Sequence, residues 1–204
     1  TVAGILLATA GLAACTGPAS SGTSAPTAPD LGGPSPAGAG APIAVLGTEN
    51  FYADLLAEIG GARVAATSLL NDPNADPHAF ESSAQAAMAV ADSRLVIVNG
   101  LGYDAFMDKL LAASPSTTRT VVNVQRLLGL ADGANAHIWY DPVTMPRVAA
   151  AVTAALGTID PANAFYFAAR EALYLASLQP LTAKIAEMKS RFNGAPIAFT
   201  EPVA

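Results

Sequence analysis

The chain holds few side chains that can do chemistry unaided, and their positions are informative. Its two histidines are His78, in Asp76-Pro77-His78-Ala79-Phe80-Glu81, and His137, in Asn135-Ala136-His137-Ile138-Trp139-Tyr140-Asp141-Pro142. Both segments have the Asn, Asp and Pro content of loops. Neutral imidazole is a good ligand for first-row divalent cations, and carboxylates complete such sets for harder ions. The two histidines are 59 positions apart, which is no local metal motif, and the ordinary role of a lone loop histidine is a hydrogen-bonded surface one. In a parallel α/β sheet, however, the loops at the carboxyl ends of the strands converge on one crevice, where distant histidines can meet.

The third reactive group is Cys15, the single cysteine, which closes Leu12-Ala13-Ala14-Cys15 after an apolar run that begins near Val2. Small residues before a cysteine at the end of a short apolar run read as a lipobox, where a signal peptide is removed and the new N-terminal thiol is acylated. Two acyl chains on one residue anchor a protein firmly. The competing reading is a buried structural cysteine in an apolar helix. No Lys/Arg region precedes Thr1, so the sequence is expected to start inside its own signal peptide. Without a second cysteine no intramolecular disulfide can form, and the folded part must rest on its core.

Other side chains carry less. Gly100-Leu101-Gly102 lacks the third glycine and the lysine of a phosphate loop. Ser82 and Ser83 read as helix caps, and Trp139 and Tyr140 as packing for the adjacent histidine. The acidic pairs Glu49/Asp54 and Asp104/Asp108 are expected on solvated helix faces.

Those groups need a scaffold, and composition supplies one: 52% of the 204 residues are hydrophobic and 13% charged. A net charge of −6 with no Lys/Arg cluster argues against a nucleic-acid partner. Residues 1–15 read as the signal peptide. The Pro-, Gly- and Ser-rich stretch 16–42 reads as a flexible tether. A lobe over 43–160 alternates strands with helices. Strands are expected at Ile43-Ala44-Val45-Leu46, over 63–70, at Leu95-Val96-Ile97-Val98, and around Val121, Val122 and Val124. Between them lie helices stopped by Gly60-Gly61, capped at Ser82 or Ser83, and marked by Tyr103, Phe106, Leu110 and Leu111. That order indicates βαβ units and a parallel sheet, hence an α/β fold. After a helix over 142–156, Asp160 as cap and Pro161 open a long helical run over 161–193, kinked or broken near Pro180. Pro196-Ile197-Ala198-Phe199-Thr200 then reads as a new strand. Residues 194–204 are therefore expected to begin a second α/β lobe that is truncated in this sequence.

With these pieces in place, the chain resembles the zinc- and manganese-binding solute-binding lipoproteins of bacterial ABC importers. The resemblance rests on the Asp-Pro-His-x-Phe-Glu segment, on Val98-Asn99-Gly100-Leu101-Gly102-Tyr103, on His137-Ile138-Trp139-Tyr140-Asp141-Pro142, on Asp160-Pro161-Ala162-Asn163 and on Thr200-Glu201. It implies a site between two lobes, with His78 and His137 from the first lobe and Glu201 as third ligand. A fourth ligand would come from farther along the second lobe. The implied protein is a monomeric extracytoplasmic receptor, lipid-anchored through Cys15, that hands Zn2+ or Mn2+ to a membrane permease. Fe2+ stays open, and the carboxylate of Glu201 and the lack of a His-rich loop lean towards manganese. Two alternatives remain: a metal-dependent hydrolase with Glu81 as general base, and a surface adhesin on the same fold.

Overall fold

Leu95-Val96-Ile97-Val98 is buried throughout, the mark of a strand covered on both faces. In the computed structural model, which describes residues 33–38, 40–72, 80 and 82–198, it is β3 of a four-stranded sheet. The others are β1 (Ile43–Glu49), β2 (Val64–Leu70) and β4 (Thr120–Asn123). All pairings are parallel and the strand order is β2-β1-β3-β4. Val45 lies beside Leu95 and Leu46 beside Val96, so the side-chain alternation stays in phase across the two central strands.

That phase divides the core. Val45, Leu95 and Ile97 face α1 (Asn50–Gly60), α5 (Thr144–Ile159) and α6 (Ala164–Ser177), packing with Leu55, Leu56, Val148, Val152, Leu156 and Phe167. Leu46, Val96 and Val98 face α2 (Ala84–Asp92) and α3 (Phe106–Ala113), packing with Val90, Met107 and Leu110. The result is a helix–sheet–helix sandwich, the expected α/β class. Ser83 caps α2, its hydroxyl accepting from the Ala86 N–H at 3.1 Å. Gly61 ends α1 at φ 50°, and a Cβ there would collide with the Tyr166 hydroxyl.

Several expectations are corrected. Val124 does not extend β4; it opens a short helix, α4 (Val124–Leu128), capped by the Asn123 side chain, which accepts from the Arg126 N–H at 2.9 Å. The run after Asp160 is a 3-10 turn (Pro161–Asn163), then α6, then a break at Leu178 before α7 (Gln179–Arg191). Pro180 lies in the first turn of α7, where its missing N–H costs nothing. Asp160 makes no side-chain cap; its carboxylate pairs with Arg63 at 2.8 Å instead. Residues 196–198 form no strand, since none of the four strands pairs with them, and α7 buries none of its residues.

The segment that leads into β1 is fastened down from residue 37. Asn163 accepts from the Ala37 N–H at 2.7 Å and donates to the Ala37 carbonyl at 3.2 Å, as a neighbouring strand would. Arg63 donates to the Gly40 carbonyl at 3.2 Å. Among the described residues, no helix is long and apolar enough to cross a membrane.

Candidate metal-capture site

The sheet order reverses direction between β1 and β3, and in open α/β sheets ligands bind outside the carboxyl ends of the strands at that switch point. Glu49 ends β1 there, and Asn99 directly follows β3. Asn99 is fully buried and uses every polar group it has. Its Nδ2 donates to the Ala136 carbonyl at 2.9 Å and its Oδ1 accepts from the Tyr52 hydroxyl at 2.7 Å. Its own carbonyl accepts from the Gln125 N–H at 3.0 Å. One side chain thus ties α1, β3 and the loop bearing His137 together.

His137, half-buried, is held in one orientation. The Asn135 Oδ1 accepts from the His137 backbone N–H at 2.9 Å, which fixes which end of that amide faces the histidine. The same oxygen lies 2.9 Å from the ring Nδ1, so Nδ1 must carry the proton. In the neutral ring the lone pair is then on Nε2, the usual arrangement in a ligating histidine whose other nitrogen is tied down. Trp139 and Tyr103 flank the ring at centroid distances of 5.3 Å and 6.0 Å. Trp139 in turn stacks on Phe51 at 4.5 Å, so the aromatic frame is rooted in α1. The expected packing role of Trp139 is what the geometry shows; Tyr140 is exposed.

Of the other ligand candidates, His78 and Glu201 lie outside the described residues, as do Cys15 and Glu81. Phe80, two positions after His78, stacks on Phe106 at 4.1 Å, at the start of α3 on the same edge of the sheet. Among the described residues, no group of three or more His, Cys, Asp or Glu is gathered to hold a metal ion.

The sequence reading misplaced two acids. Asp54 and Asp108 are exposed as expected, but Glu49 and Asp104 are 2% and 4% exposed at the carboxyl edge of the sheet, where Asn99 joins Asp104 to the His137 loop. Asp104 accepts from the Asn99 N–H at 2.7 Å and the Gly100 N–H at 2.9 Å. Burial raises its carboxyl above the usual range even against those hydrogen bonds. Neither Glu49 oxygen has a hydrogen-bond partner among the described residues. Burial first, and the Asp104 charge second, push the Glu49 carboxyl up to about 9. The same burial and the charges of Glu49 and Asp104 keep the Tyr52 hydroxyl protonated. The available signal was position: Glu49 follows an apolar strand and Asp104 follows Asn-Gly-Leu-Gly-Tyr, both places where a chain turns at the sheet edge.

Comparison with known proteins meets the geometry at this point. The family described as "Zinc-uptake complex component A periplasmic" (ZnuA) matches residues 45–204. A curated relative, the manganese-binding lipoprotein MntA of Halalkalibacterium halodurans, is 25% identical over 144 residues, covering 68% of this chain and 47% of its own length. The fold matches a Mn-bound point mutant of a periplasmic metal-binding protein from Candidatus Liberibacter asiaticus. There the TM-score is 0.62 at 18% identity, over 73% of this chain and 57% of that one. It also matches a zinc-bound deletion mutant of ZnuA, with a TM-score of 0.69 at 23% identity, over 80% and 64%. The chain thus spans about half the length of the curated relative it matches.

Proposed function

The chain belongs to the ZnuA family, and from that premise we propose that it is the cation-capturing part of an extracytoplasmic receptor for an ABC importer. The observation that carries this reading is His137: its tautomer is set by Asn135, its ring is framed by Tyr103 and Trp139, and its loop is pinned at the switch point by Asn99. The cargo is Zn2+ or Mn2+, as the relatives bind manganese or zinc. His78, His137 and Glu201 are the proposed ligands, with a fourth from a second lobe of the complete protein. Two imidazoles with carboxylates suit both ions; intrinsic affinity favours zinc, and harder oxygen donors favour manganese.

In the same proposal, residues 43–160 form the first lobe, 161–193 link it to the second, and 194–204 enter that second lobe. Cys15 carries the lipid anchor, residues 16–36 span the distance to the membrane, and the receptor acts as a monomer that delivers its ion to the permease. No chemistry on the cargo is required, so the protein is a receptor and no enzyme. Titration calorimetry of the complete protein with zinc and with manganese tests the reading. Wild type should bind at least one of them, and His137→Ala and His78→Ala should each weaken binding by orders of magnitude. Wild-type affinity in both variants would remove the reading. Palmitate labelling that survives Cys15→Ser would remove the anchor.

A further inference from the structure

The buried pair beneath the site needs its own explanation. A carboxyl that is buried with both oxygens unpartnered is among the least favourable groups a core can hold. Among the described residues Glu49 is such a group, at the β1–β3 switch point. The described residues around it supply no compensating cation. The charges that act on it come from Asp104, ahead of α3, and the titratable Tyr52 hydroxyl of α1 lies with them. Thr48 and Asn99, also buried there, are neutral. The ion pairs Arg63–Asp160, Arg170–Glu58, and Lys184 and Arg191 with Glu187 do not involve Glu49.

Two neighbouring buried carboxyls without a cation cannot both ionise, so one keeps a proton. The geometry says which. Asp104 receives two backbone N–H groups, which favour its charged form, while Glu49 receives no hydrogen bond from the described residues on either oxygen. The pair is also connected to the loop above. Asn99 links Asp104 to the carbonyl before His137, and Phe51, two residues after Glu49, stacks on Trp139, two residues after His137.

We propose that Glu49, with Asp104 beside it, holds an exchangeable proton beneath the His137 loop and releases it to solvent when a divalent cation occupies the site. This rests on the capture reading above and deepens it. The O–H bond of the Glu49 carboxyl breaks, its electron pair stays on the carboxylate, and the proton leaves as the positive charge arrives. The carboxylate then offsets the charge of the bound cation, and a lower external pH returns the proton and loosens the ion. The receptor's grip is thereby tied to the pH outside the cell.

The test is the slope of manganese affinity against pH on the complete protein between pH 7.5 and 8.5. Histidines as a class titrate near pH 6.5 and contribute little there. Wild-type affinity should rise up to about tenfold per pH unit, one proton being released per cation. Glu49→Gln, of equal shape and permanently neutral, should bind with a nearly flat profile, its binding still abolished by adding His137→Ala. Asp104→Asn should move the rising region to lower pH, because Glu49 then ionises without a charged neighbour. Infrared difference spectra give a second readout that does not depend on any variant folding. Adding manganese to wild type should remove a carboxylic-acid C=O band and add a carboxylate band. Equal slopes in wild type and Glu49→Gln, or no loss of the acid band, overturn the proposal and leave the capture reading standing. Failure of wild type to bind manganese or zinc, or binding indifferent to His137, overturns the capture reading and this proposal with it.

Discussion

Glu49 and Asp160 pull the pH dependence of stability in opposite directions. The folded protein keeps the Glu49 proton to about pH 9, while the unfolded chain gives it up near the ordinary value of 4.5. Between those values the folded state binds more protons, so stability falls as pH rises. At Asp160, burial would raise the carboxyl, but hydrogen bonds from Arg63 and Asn163 and the Arg63 charge hold it below the usual carboxylate range. Its contribution is present at neutral pH and is lost as pH falls through that depressed value. The melting temperature should therefore decline from pH 5 towards pH 9 and fall again under strongly acidic conditions. Glu49→Gln should flatten the alkaline limb and leave the acid limb in place; thermal denaturation followed by circular dichroism reads both. At the site, Asn135→Ala removes the acceptor that fixes the His137 tautomer. Losses of about 10–100-fold in cation affinity are typical for such supporting groups, well short of the loss expected for His137→Ala. Calorimetry on the two variants should rank them in that order.

At the level of the elements, the central feature is a buried amide. Asn99→Ala would leave the Tyr52 hydroxyl and the Ala136 carbonyl without their partner, each at a cost of about 1–3 kcal/mol. It should lower both stability and cation affinity, whereas Ser83→Ala, which removes the cap of α2, should cost about 1 kcal/mol of stability. Chemical denaturation beside calorimetry separates the two outcomes. The elements differ in how far the sequence disclosed them. The β3 run, the glycine stop after α1 and the serine cap of α2 were legible because local chemistry decides them. Val124 misled, since Val-Val-x-Val looks like a strand until Asn123 caps a helix in its middle. Glu49 and Asp104 were read as solvated because an acid's burial depends on which strands become neighbours, and the β2-β1-β3-β4 order is not written in any local pattern. His78 and His137 stand as proposed ligands through the family resemblance of their segments, since residue type and loop context alone fit a surface role as well; nothing local to Asn99 or Asn135 announces that they orient His137 and its loop.

For the molecule as a whole, the Asn163–Ala37 clamp determines where the upstream chain departs. Its two hydrogen bonds should protect the Ala37 amide from exchange, and Asn163→Ala should abolish that protection and open the peptide bonds around 37–41 to limited proteolysis, with the core unaffected. Unchanged exchange at Ala37 would mean that Arg63 alone holds the segment. The clamp lies beside the beginnings of β1 and β2, while Glu49 and the His137 loop lie at the opposite ends of the same strands. Seven residues of β1, at about 3.3 Å each, set these poles roughly 23 Å apart. Under the proposed anchoring through Cys15, a chain that departs from this pole leaves the opposite pole, with the His137 loop, facing away from the membrane. On that proposal, the lobe must capsize to present a captured cation to a permease in the same membrane. Under the same proposal, halving the stretch between Cys15 and Ala37 should strand a loaded receptor facing outward.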